Sequence, residues 1–422
     1  MASPMYTSRQ LIFIGFLTLS VPFPIAVRAA EIHVPGDYPT IQEAIDAAAP
    51  GWTILVAAGT YTGPLNTNLD FGGRDIELRS EGGPEVTIID CAGAPVGLTF
   101  HSGETVAAIV DGFTITRGGP HGIRCQGSSP TIRNCIVAWN PLNGMICNNS
   151  SPVIENCIFA DNCHAAPANG AGIHCTNNSS LRIANCVFVR NDACCGVFGG
   201  GIYSHSSSLT ITGSVFMENP GEGGGGIACE MSSLVISDSH FQNNSSDNDG
   251  GGGIGCYSSS ATITGCTFYD NTGRFGTGLV CSGAPATITN CAFVANGVGS
   301  QVSTGSGGIL ENTIIAFGTG IGLACLPDGV PTLLCCDIFG NQGGDWIDCI
   351  AGQLDLEGNF AADPQFCNLA SRNLTLNESS PCLPGNHPQG EDCGLIGAFG
   401  QGCGATPVQT TTWGAIKAAF GR

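Results

Sequence analysis

The sequence predicts an all-β solenoid: short parallel strands wound into a single-stranded coil of about eleven turns, behind an N-terminal helical cap. Three observations predict it. An internal repeat of 22 to 29 residues runs through "GIRCQGSSPTIRNCIVAWN", "GMICNNSSPVIENCIFADN", "GIHCTNNSSLRIANCVFVRN" and "GIGCYSSSATITGCTFYDN". Periods of that size mark stacked supersecondary units, none of which can bury its apolar face alone. The second observation is a column: Cys135, Cys157, Cys186, Ser214, Ser239, Cys266, Cys291 and Cys336 are each followed two residues later by an apolar side chain. Each is also followed five residues later by asparagine, at Asn140, Asn162, Asn191, Asn219, Asn244, Asn271, Asn296 and Asn341. The third is composition, since 63 glycines with only 11% charged residues describe a chain rich in turns and strands.

The elements follow in order. Residues 1–29 read as a secretory leader, with Arg9, the apolar run "LIFIGFLTLSVPFPIAV" and small residues before a cleavage point after Ala29. A spanning helix competes, but Pro22 and Pro24 interrupt the run, and no later segment approaches ~20 uninterrupted apolar residues. The expectation is export to the extracellular space or cell surface, with no transmembrane segment once the leader is removed and disulfides permitted. In residues 30–75, Ile41, Ala44, Ile45 and Ala48 recur at helical spacing. Thr40 with Glu43 forms a capping box, Pro50 and Gly51 end the run, and the strand "TILVA" follows. One helix ahead of an array covers the open end of its first coil.

Residues 76–341 form the array. Within one coil the period is two, broken by turns: Ile254 and Cys256 point inward, "SSS" bends the chain, Ala261 and Ile263 point inward, and Cys266 with Phe268 make a third pair. Like side chains of successive coils should therefore stack about 4.8 Å apart. The asparagines suit a turn that needs left-handed dihedrals, and their amides can bond up and down the column. Residues 342–403 carry Cys349, Cys367, Cys382, Cys393 and Cys403 in Pro- and Gly-rich sequence and read as a C-terminal cap held by disulfides. Residues 404–422 are a Thr-rich linker and a short apolar, basic end, either an attachment tail or an ordinary frayed terminus.

The opening "VPGDYPTIQEAIDAAAPGWTILVAAGTYTG" resembles the N-terminal cap and first coil of the pectin-lyase-like superfamily. The "GFTIT" and "NCIFADN" coils are similar to repeats of secreted bacterial β-helix proteins. The resemblance implies a right-handed parallel β-helix. It does not fix an activity, because that superfamily includes lyases, hydrolases, esterases, epimerases and adhesins. The family's enzyme motifs transfer poorly. The array holds no lysine, and its arginines include Arg117, Arg124, Arg133, Arg182, Arg190 and Arg274. The polygalacturonase set of "NTD", paired "DD", "GHG" and "RIK" is absent, with "PHG" at Pro120–Gly122 a partial echo.

Charge and cysteine usage narrow the partners. Thirteen cations against 33 carboxylates give a net charge of −20, which argues against nucleic acid, anionic membrane surfaces and unaided capture of acidic polysaccharide. The cysteine pairs are not zinc sites, since Ser214 and Ser239 occupy the same column; buried stacking suits them, with cross-coil disulfides open for Cys163, Cys194 and Cys195. No catalytic residue and no metal ligand is assigned. The candidate ligand-binding patch is His174, Tyr203, His205, Glu230 and Tyr257, outward positions on the strand that begins each repeat. Aromatic faces with hydrogen-bonding groups between them suit a neutral sugar chain, and a His–Glu pair can do acid/base work. No cofactor is expected, with Ca²⁺ at Asp247 and Asp249 the sole cation candidate. Outward positions of the third strand, Ile136, Ile158, Val187 and Val215, make an apolar strip that is either exposed or covered by the tail or a partner. The sequence thus reads as a glycan-associated binding or structural protein, with a polysaccharide lyase or hydrolase as the alternative.

Overall fold

The computed structural model describes residues 30–163, 168–247, 250–305, 307–327 and 329–403, apart from the side chains of Cys194 and Cys195. The expected leader and the tail lie outside these residues. The array is a parallel β-solenoid of about twelve turns, close to the eleven expected, built from three stacked sheets of 11, 13 and 12 strands. In the repeat at Gly253, the first sheet takes Ile254–Tyr257, the second Ser260–Thr264 and the third Thr267–Tyr269. Register is kept from coil to coil, so that Cys229 lies beside Cys256 and Cys256 beside Cys281, while Phe241 lies beside Phe268 and Phe268 beside Phe293.

Alternation sends one set of side chains into a dry interior. Six phenylalanines from Phe159 to Phe293 stack in one file, with ring centroids 4.4–5.1 Å apart and planes within 8°. The file follows from strand spacing, because identical side chains in register must repeat at the sheet's own step. The cap helix spans Ile41–Ala47, with Thr40 as N-cap accepting from the Glu43 amide and donating to the Glu43 carboxylate at 2.7 Å. Ile41, Ala44 and Ile45 are buried over the first coil.

The asparagine column is buried, and its amides form a ladder. Nδ2 of Asn162 donates to Asn191 Oδ1 at 2.9 Å and to the backbone oxygen of Val137 at 3.0 Å; Oδ1 of Asn162 accepts from both Asn140 N and Asn140 Nδ2. Asn191, Asn219, Asn244 and Asn271 repeat the pattern. One coil lacks the asparagine and has Gly318 there. Gln301 reaches across, accepting from Asn296 Nδ2 at 2.8 Å and donating to Asn341 Oδ1 at 2.5 Å. The left-handed expectation is displaced by one residue. Trp139, Asp161, Arg190, Glu218, Asn243, Asp270 and Ala295 have φ of 51–59°, each immediately before its asparagine. The preceding residue makes the turn, and the asparagine side chain is thereby aimed under it.

The cysteine column is buried as expected, and it also bonds. Cys157 Sγ donates to Glu155 O at 3.2 Å and Cys186 Sγ to Ala184 O at 3.3 Å, while Cys186 Sγ accepts from the Cys157 amide at 3.4 Å. Ser214 and Ser239 make the same two kinds of bond through Oγ, at 3.0 and 2.8 Å to the carbonyl two residues back. Serine substitutes for cysteine because both are small donors and acceptors. Burial pushes the Cys336 thiol up to about 12, which keeps it a protonated donor to Leu310 O and Leu334 O.

The C-terminal region is more than an end cap. Ile350 joins the interior core and the Trp346 ring packs against it, closing the last coil. The chain then folds back along the outer face of the third sheet, where Phe360, Leu374, Leu376 and Ile396 cover Ala292, Val294, Ile314 and Ala316. Disulfides Cys325–Cys349, Cys335–Cys393 and Cys367–Cys403 fasten it, two of them to array cysteines. Cys382 bonds instead to Asp337, whose fully buried carboxyl group accepts from Cys382 Sγ at 3.4 Å and from the Ala362 amide at 3.1 Å.

Two outcomes are expected. Cys186→Ser should keep the melting temperature within a degree or two, whereas Cys186→Ala, which strands the Cys157 amide, should cost about 1–3 kcal/mol; the reverse order in thermal denaturation would make the column pure packing. Burial raises the Asp337 carboxyl to about 8 from 3.8. The folded chain therefore holds a proton that the unfolded chain releases near pH 4, so its stabilisation is complete below pH 4, declines as pH rises to about 8 and is flat above. Melting curves from pH 4 to 9 should show that decline in the wild type and lose this component in Asp337→Asn; parallel pH curves for the two proteins would refute it.

Candidate functional site

The outer face of the first sheet presents two columns. Inward Leu98 and Phe100, Ile123 and Cys125, Ile173 and Cys175, and Ile227 and Cys229 are buried, so the residues between and after them face out. Asp70, Thr99, Arg124, Ile146, His174, Tyr203 and Ala228 are neighbours in one column. Gln126, Asn148, Thr176, His205, Glu230 and Tyr257 are neighbours in the other.

Around Tyr203 the five expected residues come together, though not as an open face. Tyr203 is only 6% exposed, and its hydroxyl donates to Glu230 Oε2 at 2.6 Å. Burial, then the hydrogen bond to the Glu230 carboxylate, pushes the phenol well above its usual value. His205 Nδ1 lies 3.4 Å from the same carboxylate oxygen, in ion-pair range. The rings of His174 and Tyr203 are 5.3 Å apart. Burial first, then the nearby His121 and His205 imidazoles, pushes His174 down to about 4, so at neutral pH it is an uncharged hydrogen-bonding group. The Tyr257 hydroxyl is turned into the glycine-rich loop, donating to Gly223 O at 2.9 Å. Phe198, from the loop strand Ala193–Phe198 that pairs with Gly221–Glu222, stacks 6.0 Å from Tyr203 and walls the patch.

Two to five coils toward the N-terminus the same face opens into a groove of about 680 Å³, lined by Asp70, His101, Arg124, Gln126 and Asn148 among others. His101 Nε2 sits 3.1 Å from Asp70 Oδ2, and Arg124 Nη2 donates to Gln126 Oε1 at 2.8 Å. Asp70, His101 and Phe198 were not singled out from the sequence. Asp70 and His101 belong to coils where Phe71 and Phe100 take the inward first-sheet position that Cys125 and Cys147 hold later, and aligning those phenylalanines with Cys125 recovers them; Phe198 is in a loop with no register to read.

Of the Ca²⁺ pair, Asp249 lies outside the described residues. Among the described residues no group of three or more His, Cys, Asp or Glu side chains is placed to hold a metal ion.

A family model for the right handed beta helix region matches residues 80–236 and 232–361. The chain belongs to the right-handed β-helix family. Among solved structures this β-helix is similar to the pectate lyase Pel9A, at 14% identity and a TM-score of 0.51 over 89% of this chain and 98% of that one. Weaker likenesses are to an alginate lyase from Paenibacillus sp. (14% identity, TM-score 0.38, 70% of this chain and 95% of that one) and to the catalytic domain of an α-1,3-glucanase (16%, 0.45, 82% and 69%). At these identities the likeness is one of fold. No curated protein matches the sequence.

Proposed function

We propose that this β-helix is an extracellular or cell-surface protein that holds a neutral glycan chain along the outer face of its first sheet, without committed catalysis. The observation that carries the reading is the continuity of that face. An open polar groove at Asp70, His101 and Arg124 runs in register into the aromatic and carboxylate patch at His174, Tyr203, His205, Glu230 and Tyr257. Hydrogen-bonding groups set between aromatic rings suit sugar hydroxyls and ring faces. The carboxylates of the two regions, Asp70 and Glu230, are six strand steps apart, about 29 Å, whereas a glycosidase pair needs roughly 5–10 Å. The net charge of −20 favours a neutral chain. Three disulfides fit export. Among the described residues no helix is long and apolar enough to cross a membrane.

The Tyr203–Glu230 bond favours a second reading, a polysaccharide lyase or hydrolase working at that patch, since a held carboxylate beside histidines can move protons. A panel of neutral and acidic polysaccharides, with and without Ca²⁺, separates the two. The binding reading expects a neutral glycan to be retained without turnover, and expects the double variant His101→Ala, Arg124→Ala to weaken retention about tenfold or more. Release of unsaturated or reducing ends would establish the enzyme instead, and no retention of any glycan would sink the glycan reading.

A further inference from the structure

In its first coils the chain passes from the third sheet to the first through two loops, residues 63–68 between Gly59–Tyr61 and Leu69–Asp70, and residues 91–95 between Thr87–Asp90 and Val96–Phe100. They enclose a second hollow of about 690 Å³, a size that suits a small ligand. Asn68 and Asp70 line both this hollow and the polar groove, so a chain lying in the groove meets the hollow across that ridge.

The walls are held in place by the protein's own bonds. Leu65 O accepts from the Gln42 amide at 2.8 Å, and Gly63 O accepts from Thr67 Oγ1 at 3.1 Å. Across the hollow the amides of Ala92, Gly93 and Ala94 donate to Asp90 Oδ1, Arg117 O and Cys91 O. With those donors spent, the walls present the side chains of Pro64, Leu65, Ala92 and Pro95, all of them exposed. Leu65 is 46% exposed at φ 69°, a left-handed position that glycine or asparagine adopts more readily. A leucine there serves neither the turn nor the core. Asp70 is the charged residue of the lining, and its carboxylate is already bonded to His101 and to the Gly72 amide. The Asn68 side chain, exposed on the ridge, has no hydrogen-bond partner among the described residues.

We infer that the hollow takes a neutral sugar carrying an N-acetyl group, as the next unit of the chain held in the groove; the inference rests on the neutral-glycan reading. An acetamido group joins one donor, one acceptor and a methyl. On the ridge Asn68 Nδ2 donates to its carbonyl and Asp70 accepts from its N–H, while the methyl packs among Pro64, Leu65, Ala92 and Pro95. A hydroxyl in the same place leaves that apolar wall facing water. A uronate would set a second carboxylate near Asp70, and among the described residues no cation lines the hollow to receive it.

Isothermal titration of the full chain with chitotetraose and with cellotetraose, which differ in bearing an acetamido group or a hydroxyl on each ring, tests the inference. Chitotetraose should bind at least about tenfold more tightly, and Leu65→Asn and Asn68→Gly should each bring the two affinities within about threefold. Both substitutions suit the left-handed positions they enter, at φ 69° and 54°, so folding should survive them. Equal affinities in the unaltered chain would overturn the inference and leave the glycan reading standing, as would a preference for chitotetraose that neither variant reduces. Binding of neither sugar would overturn it too, and the wider polysaccharide panel then decides the glycan reading separately.

Discussion

A coil of three sheets turns its backbone three times per lap, and the polar groups at those turns are buried where water does not reach. The asparagine ladder meets that constraint completely. A primary amide has two donor hydrogens and an oxygen with two lone pairs. Each inner asparagine uses all four, bonding up to the next amide, down to the previous one and sideways to a carbonyl of the neighbouring coil. The substitution at Gly318 shows how binding the rule is, since Gln301 crosses the gap to keep the file unbroken. Stacked phenylalanines supply apolar burial, but they do not choose the register; a one-step slip would leave amides without partners.

The same rule runs through the other columns. Ser150, Ser179, Ser207 and Ser232 each accept from the backbone amide of the coil before, at 3.1–3.3 Å. The cysteine column does the work with sulfur, donating two residues back and accepting from below. The buried thiols of this column therefore serve the turn, as the serines do in theirs. Disulfides gather instead where periodicity fails, fastening the C-terminal segment to the array.

Fold was legible because every coil repeats its constraint. The column of Cys135 to Cys336 and the asparagines five residues on fixed strand order and register, and the Thr40 cap placed the helix. The left-handed position was misplaced by one residue because asparagine's own tolerance for that conformation hid the real reason for its presence, the amide ladder. The site was half legible. His174, Tyr203, His205, Glu230 and Tyr257 fall together because register alone decides it, whereas the Asp70 and His101 groove lies in coils where Phe71 and Phe100 replace the inward cysteine of the first sheet. Where the C-terminal region would lie was not legible at all, since a segment without period carries no register, and its path along the third sheet is set by the apolar outer residues it covers.

These columns leave the outer faces free to vary: one face is given to a polar and aromatic strip, another to the returning chain. The account rests on the ladder, and Asn219→Ala tests it most directly. The substitution strands Asn191 N, Asn191 Nδ2 and the Phe188 carbonyl. Denaturant unfolding, with hydrogen exchange followed over residues 186–244, should show a loss of roughly 3–6 kcal/mol and exchange quickened in the coils on either side. A loss under about 1 kcal/mol, with exchange unaltered in the neighbouring coils, would contradict it.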